Sequence, residues 1–99
     1  MWLLYEMNFD WDEAKNCSNL AKHGPSFADA EQVLTGPCVT FVDDRFDYGM
    51  ERLITLGLLV GRVVVIAHVL RGDDTTRIIS MRKANRREQK IYQKRLGES

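Results

Sequence analysis

The chain has little to build a disulfide or metal framework with: two cysteines and two histidines in 99 residues. Cys17 and Cys38 form no CxxC pattern, and neither histidine stands at zinc-finger spacing from them. Two cysteines make no disulfide scaffold, and free, partly buried thiols in a reducing cytoplasm are expected. His23 and His68 lie far apart and no HExxH joins them, so no metal is expected. Asp73-Asp74 falls in a turn signal, where Asp serves the backbone. There is no P-loop, no GxGxxG and no serine in a nucleophile elbow, hence no expected cofactor. The longest apolar run, Val63 to Ala67, is far short of a membrane span. The opening "MWLLYE" is too short for a signal peptide and has no basic leader. A cytoplasmic protein with no membrane partner is the expectation. The formal net charge is zero, which argues against adhesion to nucleic acid by bulk charge alone.

The charge that is there is unevenly distributed. Residues 1–44 hold two cations, Lys15 and Lys22, against eight acids. Residues 45–99 hold twelve cations against six acids. Such asymmetry points to a polyanion or an acidic partner, or else to halves that cancel once folded together. The length suits one compact domain. Met7 offers a second initiation point, which would make residues 1–6 an extension and 7–99 the domain.

Asn8 to Trp11 alternates and predicts a short strand with Phe9 and Trp11 on one face. Asp12 is a good N-cap for a helix that Gly24 and Pro25 close. Ala14, Cys17, Leu20 and Ala21 follow helical spacing as its apolar side. Ser26 and Asp29 resemble a capping box before a second helix with a stripe of Phe27, Ala30, Val33 and Leu34. Strands are predicted over Cys38–Val42, Arg52–Leu58, Arg62–Leu70 and Thr76–Met81. The middle two are close enough to form a hairpin. A cationic helix begins near Ala84. The order β-α-α-β-β-β-β-α indicates an α+β domain with helices on one side of an antiparallel sheet.

The segment "RIISMRKANRR" runs from a buried-looking strand into a cationic cluster: Arg82, Lys83, Arg86, Arg87 and then Lys90. With Lys22, His23, Glu51, Arg52, Arg62 and His68, these residues match the needs of metal-free phosphodiester cleavage by a neighbouring 2′-hydroxyl. Arginines stabilise the phosphorane-like oxyanion, Glu or His takes the hydroxyl proton, and His or Lys protonates the leaving oxygen. Alternation places Arg62 and His68 on one face of a strand, about 20 Å apart if it is straight. It groups Ile78 with Ser80 and Arg82 in the last strand. Each residue also has a plain reading. His68 can be a core histidine, Lys22 and His23 a helix terminus, Arg52 and Arg62 hairpin flanks, and the last helix a solvated face.

"FDWDEAKNCSNLAKHGPSFADA", "GMERLITLGLLVGRVVVIAHVLRG" and "RIISMRKANRREQKIY" together resemble the start, middle and end of BrnT-type toxins, over about residues 7–96. The resemblance implies a RelE-like fold: two N-terminal helices on an antiparallel sheet and a C-terminal basic helix. It implies a ribonuclease that arrests translation, acting on free or ribosome-associated RNA. It also implies a BrnA-like ribbon-helix-helix antitoxin, through which alone the pair would meet operator DNA. Lys22, Glu51, Arg52, Arg62 and Arg82 match family positions associated with the active site, and His68 lies in the matching strand. His23, Lys83, Arg86, Arg87 and Lys90 are the expected RNA contacts. Met50 stands where the family often has Glu before the Glu-Arg pair, so proton acceptance would rest on Glu51. The competing expectation is a degenerate toxin, a non-catalytic module that binds nucleic acid or a partner.

Overall fold

A computed structural model describes residues 8–43, 52–71 and 75–97. Glu51, the 1–6 extension and the Asp73-Asp74 turn lie outside the described residues. The strands are β1 (Asn8–Trp11), β2 (Cys38–Asp43), β3 (Arg52–Leu59), β4 (Arg62–Arg71) and β5 (Thr75–Lys83). The helices are α1 (Glu13–His23), α2 (Ala30–Leu34, entered through a 3-10 turn at Phe27–Asp29) and α3 (Arg86–Gly97). The strands form one sheet in the order β1-β5-β4-β3-β2.

The meander β2 to β5 is antiparallel, but β1 joins β5 in parallel, so the sheet is mixed rather than antiparallel. This follows from geometry. A parallel pair needs a long crossover, and almost the whole chain separates β1 from β5. Asp10 on β1 ion-pairs with Arg77 on β5 at 3.4 Å, across the same register.

β4 lies at the centre, and its unbroken apolar run is buried on both faces. Val64 and Ile66 join Phe27, Ala30, Val33, Ile78 and Met81 under α2. Val65 points the other way, to Leu56, Ala84 and Tyr92 under α3. The helices are therefore divided between the two faces instead of sharing one. Tyr92 secures α3 by donating its hydroxyl to the Pro37 carbonyl at 2.9 Å, while the Arg95 guanidinium lies 5.2 Å from the Phe41 ring centroid.

α1 buries a different side from the one its apolar spacing predicts. Cys17 and Leu20 are exposed, and the buried residues are Asn16 and Asn19. Both amides do backbone work. Asn16 Oδ1 accepts from the Phe27 amide at 2.9 Å. Asn19 donates to the Met81 carbonyl at 2.6 Å and accepts from the Met81 amide at 3.3 Å. Since β1 pairing ends at Ile78, Asn19 stands in for the missing strand three residues further along β5. Buried amides with such partners satisfy polar groups that neither water nor a strand can reach.

β5 carries an irregularity. Ala67 pairs with Ser80 but His68 pairs with Ile78, so Ile79 is an extra residue. The bulge shifts the alternation. Ile78 and Met81 both face the α2 core, whereas Ser80 and Arg82 face α3. The predicted grouping of Ile78 with Ser80 and Arg82 is corrected accordingly.

Candidate functional site

The β3–β4 hairpin turns through Val60 and Gly61, both at positive φ (50° and 76°). This two-residue turn puts Arg62 at the start of β4 opposite Leu59, beside the last residue of β5. Arg62 and Lys83 thereby meet at one end of the sheet. A cleft of about 200 Å³ on the α1 side is lined by Gly24, Pro25, Val60, Arg62 and Lys83. A second, of about 440 Å³, lies on the α3 side and is lined by Arg62, Lys83, Ala84, Gln89, Tyr92 and Gln93. The same two cations rim both. Lys22 and His23 end α1 just before Gly24 and are exposed there.

Arg82 is on the α3 face, paired with Val65 of β4. Its guanidinium makes a bidentate pair with Glu88, at 2.8 Å from Nη1 to Oε1 and 2.7 Å from Nη2 to Oε2. Nη1 also donates to the Lys83 carbonyl at 3.2 Å. The carboxylate is held in turn by the helix start. Asn85 Oδ1 accepts from the Glu88 amide at 2.8 Å, and Glu88 Oε1 accepts from the Asn85 amide at 2.8 Å. This is a capping box. One residue thus closes the first turn of α3 and orients Arg82. The pair holds Glu88 below the usual carboxylate range, first through the Arg82 hydrogen bonds, and raises Arg82 above its ordinary value by the same contact. Arg82 still exposes 41% of its side chain.

His68 is placed otherwise. It is only 5% exposed, on the α2 face of β4. Its Nε2 lies 2.8 Å from Thr55 Oγ1, which lies 2.8 Å from Thr40 Oγ1, a chain across β4, β3 and β2. Burial lowers its pKa to about 4, so the ring is neutral at pH 7.

Six residues were expected to form the catalytic set. Lys22 and Arg62 lie at the sheet end. His68 is inside the α2 face. Arg52 and Arg82 share the α3 face, where their β4 partners Val69 and Val65 are four residues, roughly 13 Å, apart. Glu51 lies outside the described residues. Of the expected RNA contacts, Arg86, Arg87 and Lys90 are exposed on α3, where with Ile91 and Lys94 they line a groove of about 460 Å³. Among the described residues, no three His, Cys, Asp or Glu side chains gather as metal ligands, and no helix is long and apolar enough to cross a membrane.

Sequence reasoning missed Glu88 and Asn85. The Asn-x-x-Glu spacing of a capping box was readable at Asn85 to Glu88.

A family model described as ribonuclease toxin, BrnT, of type II toxin-antitoxin system matches residues 11–88. The crystal structure of the Brucella abortus ribonuclease toxin BrnT is similar, with 31% sequence identity and a TM-score of 0.66. That match covers 81% of this chain and 99% of the Brucella chain. Among curated protein sequences, nothing matches.

Proposed function

Because this chain belongs to the BrnT family of toxins of type II toxin–antitoxin systems, we propose that it is a RelE-like endoribonuclease that cuts RNA without a metal and so arrests translation. The observation that carries this reading is the state of Arg82. The guanidinium is fixed at the end of a central-sheet strand, yet it remains open to solvent. Three of its N–H groups are engaged among the described residues, which leaves two of the five for an incoming phosphate oxygen. An oriented cation whose position is set beforehand is what a developing phosphorane oxyanion needs.

In this reading the 2′-oxygen bonds to phosphorus and the bond to the 5′-oxygen breaks. The products end in a 2′,3′-cyclic phosphate and a 5′-hydroxyl. Arg82 and Arg52 stabilise the equatorial oxygens on the α3 face. Glu51, next to Arg52 in the chain, accepts the 2′-hydroxyl proton. Arg62, Lys83, Lys22 and His23 take neighbouring phosphates around the sheet end, and the leaving 5′-oxygen takes its proton from solvent. His68 is reassigned from catalyst to internal support of the strands, because a buried imidazole on the α2 face stands away from a phosphate on the α3 face and, uncharged at pH 7, is no proton donor to a leaving oxygen. Family membership implies an antitoxin. A BrnA-like ribbon-helix-helix protein is proposed, with operator DNA bound through it, and the cytoplasm is proposed as the shared compartment.

The test is incubation of the purified protein with mRNA in EDTA, followed by end-group analysis. Cyclic phosphate ends, lost in Arg82→Ala with the circular dichroism unchanged, are the expected result. RNA binding without cleavage would instead establish a non-catalytic module.

A further inference from the structure

The cleft on the α3 side of the sheet end is more than a phosphate site. Its two cations stand at the rim, while its wall contains Leu58, Val63 and Ala84. Two glutamine amides, one helical turn apart on α3, face the same space. Gln89 is already oriented, since its Nε2 donates to the Ala84 carbonyl at 3.1 Å, which leaves its Oε1 as an acceptor. Gln93 is exposed, and its amide makes no hydrogen bond among the described residues. A simple anion needs neither amides nor an apolar wall. An acidic peptide could pair its backbone with the amides, but it has no flat face for the apolar wall and places its carboxylates on flexible side chains away from that backbone. A nucleobase uses all of it: an apolar surface or guanidinium plane for its face, amides for its hydrogen-bonding edge, and cations for the flanking phosphates. The volume of about 440 Å³ lies within the usual range for small-ligand sites.

We propose that this cleft seats one ribonucleotide base next to the scissile phosphate and that Gln93, with Gln89, reads its edge. The proposal rests on the ribonuclease reading only for the word scissile; the base site stands on the cleft itself. Arg62 and Lys83 hold the phosphates on either side. Cleavage should then favour one base, or one pair of bases with the same edge pattern, at a fixed position from the cut. Base-specific recognition of RNA mostly targets unstacked single strands, so structured RNA should be a poor substrate.

The experiment uses the whole protein, amide chemical shifts and the four nucleoside 3′-monophosphates. The expected result is saturable shifts at Val63, Ala84 and Gln93, with affinities that differ about tenfold between best and worst base. Gln93→Ala should collapse that difference while the weakest nucleotide binds as before, because the phosphate contacts remain. Gln93 is exposed, so the fold is not at stake, and Gln93→Glu, which keeps only acceptors, should reorder the preference. Equal binding of all four nucleotides, unmoved by either variant, would overturn the proposal. So would shifts at these amides produced by hexaglutamate and by no nucleotide, which would assign the cleft to a protein ligand. Base discrimination in a protein that leaves mRNA intact in EDTA would sustain the base site and remove the ribonuclease reading.

Discussion

At the scale of single residues, the polar groups inside the sheet set the limits of the fold. His68 is the sharpest case. Its folded pKa of about 4 lies below the ordinary value of 6.5. Between those values the unfolded chain binds more protons than the folded one, so stability falls as pH drops from about 6.5 to about 4. The span corresponds to at most about 3 kcal/mol. His68→Gln keeps an amide for Thr55 but does not titrate. Urea unfolding at several pH values between 4 and 7 should give the wild type a steeper acid loss than the variant, by about 2–3 kcal/mol. Parallel profiles would mean that another group is responsible. Carboxylates such as Glu88 add their own acid loss, but it is common to both proteins and cancels in the difference. Gly57 sets a steric limit. A Cβ built there would lie 2.5 Å from Val33 Cγ1 and 3.2 Å from Cys38 Cβ. Gly57→Ala should therefore destabilise by about 1–3 kcal/mol, through overpacking of α2 on β3. Adding Val33→Ala should restore part of that loss, and a purely additive double-mutant cycle would show that the two positions do not clash.

At the scale of elements, the joint between β5 and α3 couples fold to site. Glu88 both closes the capping box with Asn85 and holds Arg82. Glu88→Ala should lower stability by about 1 kcal/mol, the usual value of a lost cap interaction. It should also slow cleavage more than it weakens RNA binding, because removing an acid favours a polyanion while Arg82 loses its orientation. Single-turnover rates beside equilibrium binding separate the two effects; equal losses in both would make Glu88 a folding residue only. Most elements were legible in the sequence because their signals are local. Asp12 caps α1 at 2.9 Å, Gly24 closes it at positive φ, and the apolar runs of β3 and β4 pair across their short turn. What escaped was non-local. Asn16 and Asn19 look like surface residues until Met81, far along the chain, takes the amide of Asn19. The bulge at Ile79 exists only relative to β4, and it decides which face receives Arg82. The parallel partner of β1 comes from the far end of the chain. The candidate site was legible as a set of residue types, but not in its division between a sheet end and the α3 face.

At the scale of the whole molecule, the charge asymmetry of the sequence becomes an asymmetry of faces. The acidic first half supplies both sheet edges, β1 and β2, and the helices over one face. The basic second half supplies the sheet centre and α3 over the other. α3 alone carries Arg86, Arg87, Lys90, Lys94 and Arg95 against Glu88. The halves thus do not cancel over the surface. Catalysis on one phosphate uses few of these cations, and the groove among Arg86, Arg87, Lys90 and Lys94 has Ile91 in its lining. A cationic rim around an apolar residue suits an acidic, amphipathic segment of the antitoxin, which would cover the RNA path as it docked. Association steered by such a patch is fast and salt-dependent. Reversing Arg86, Arg87 and Lys90 to Glu should cut the antitoxin's association rate at least tenfold at low salt and flatten its salt dependence, with dissociation changing less. Stopped-flow mixing across a salt series measures this directly. An unchanged association rate would place the antitoxin on another face, such as the exposed side of α1 at Cys17 and Leu20. Inhibition would then work by keeping the toxin from its RNA at a distance, and the cations of α3 would belong to RNA alone.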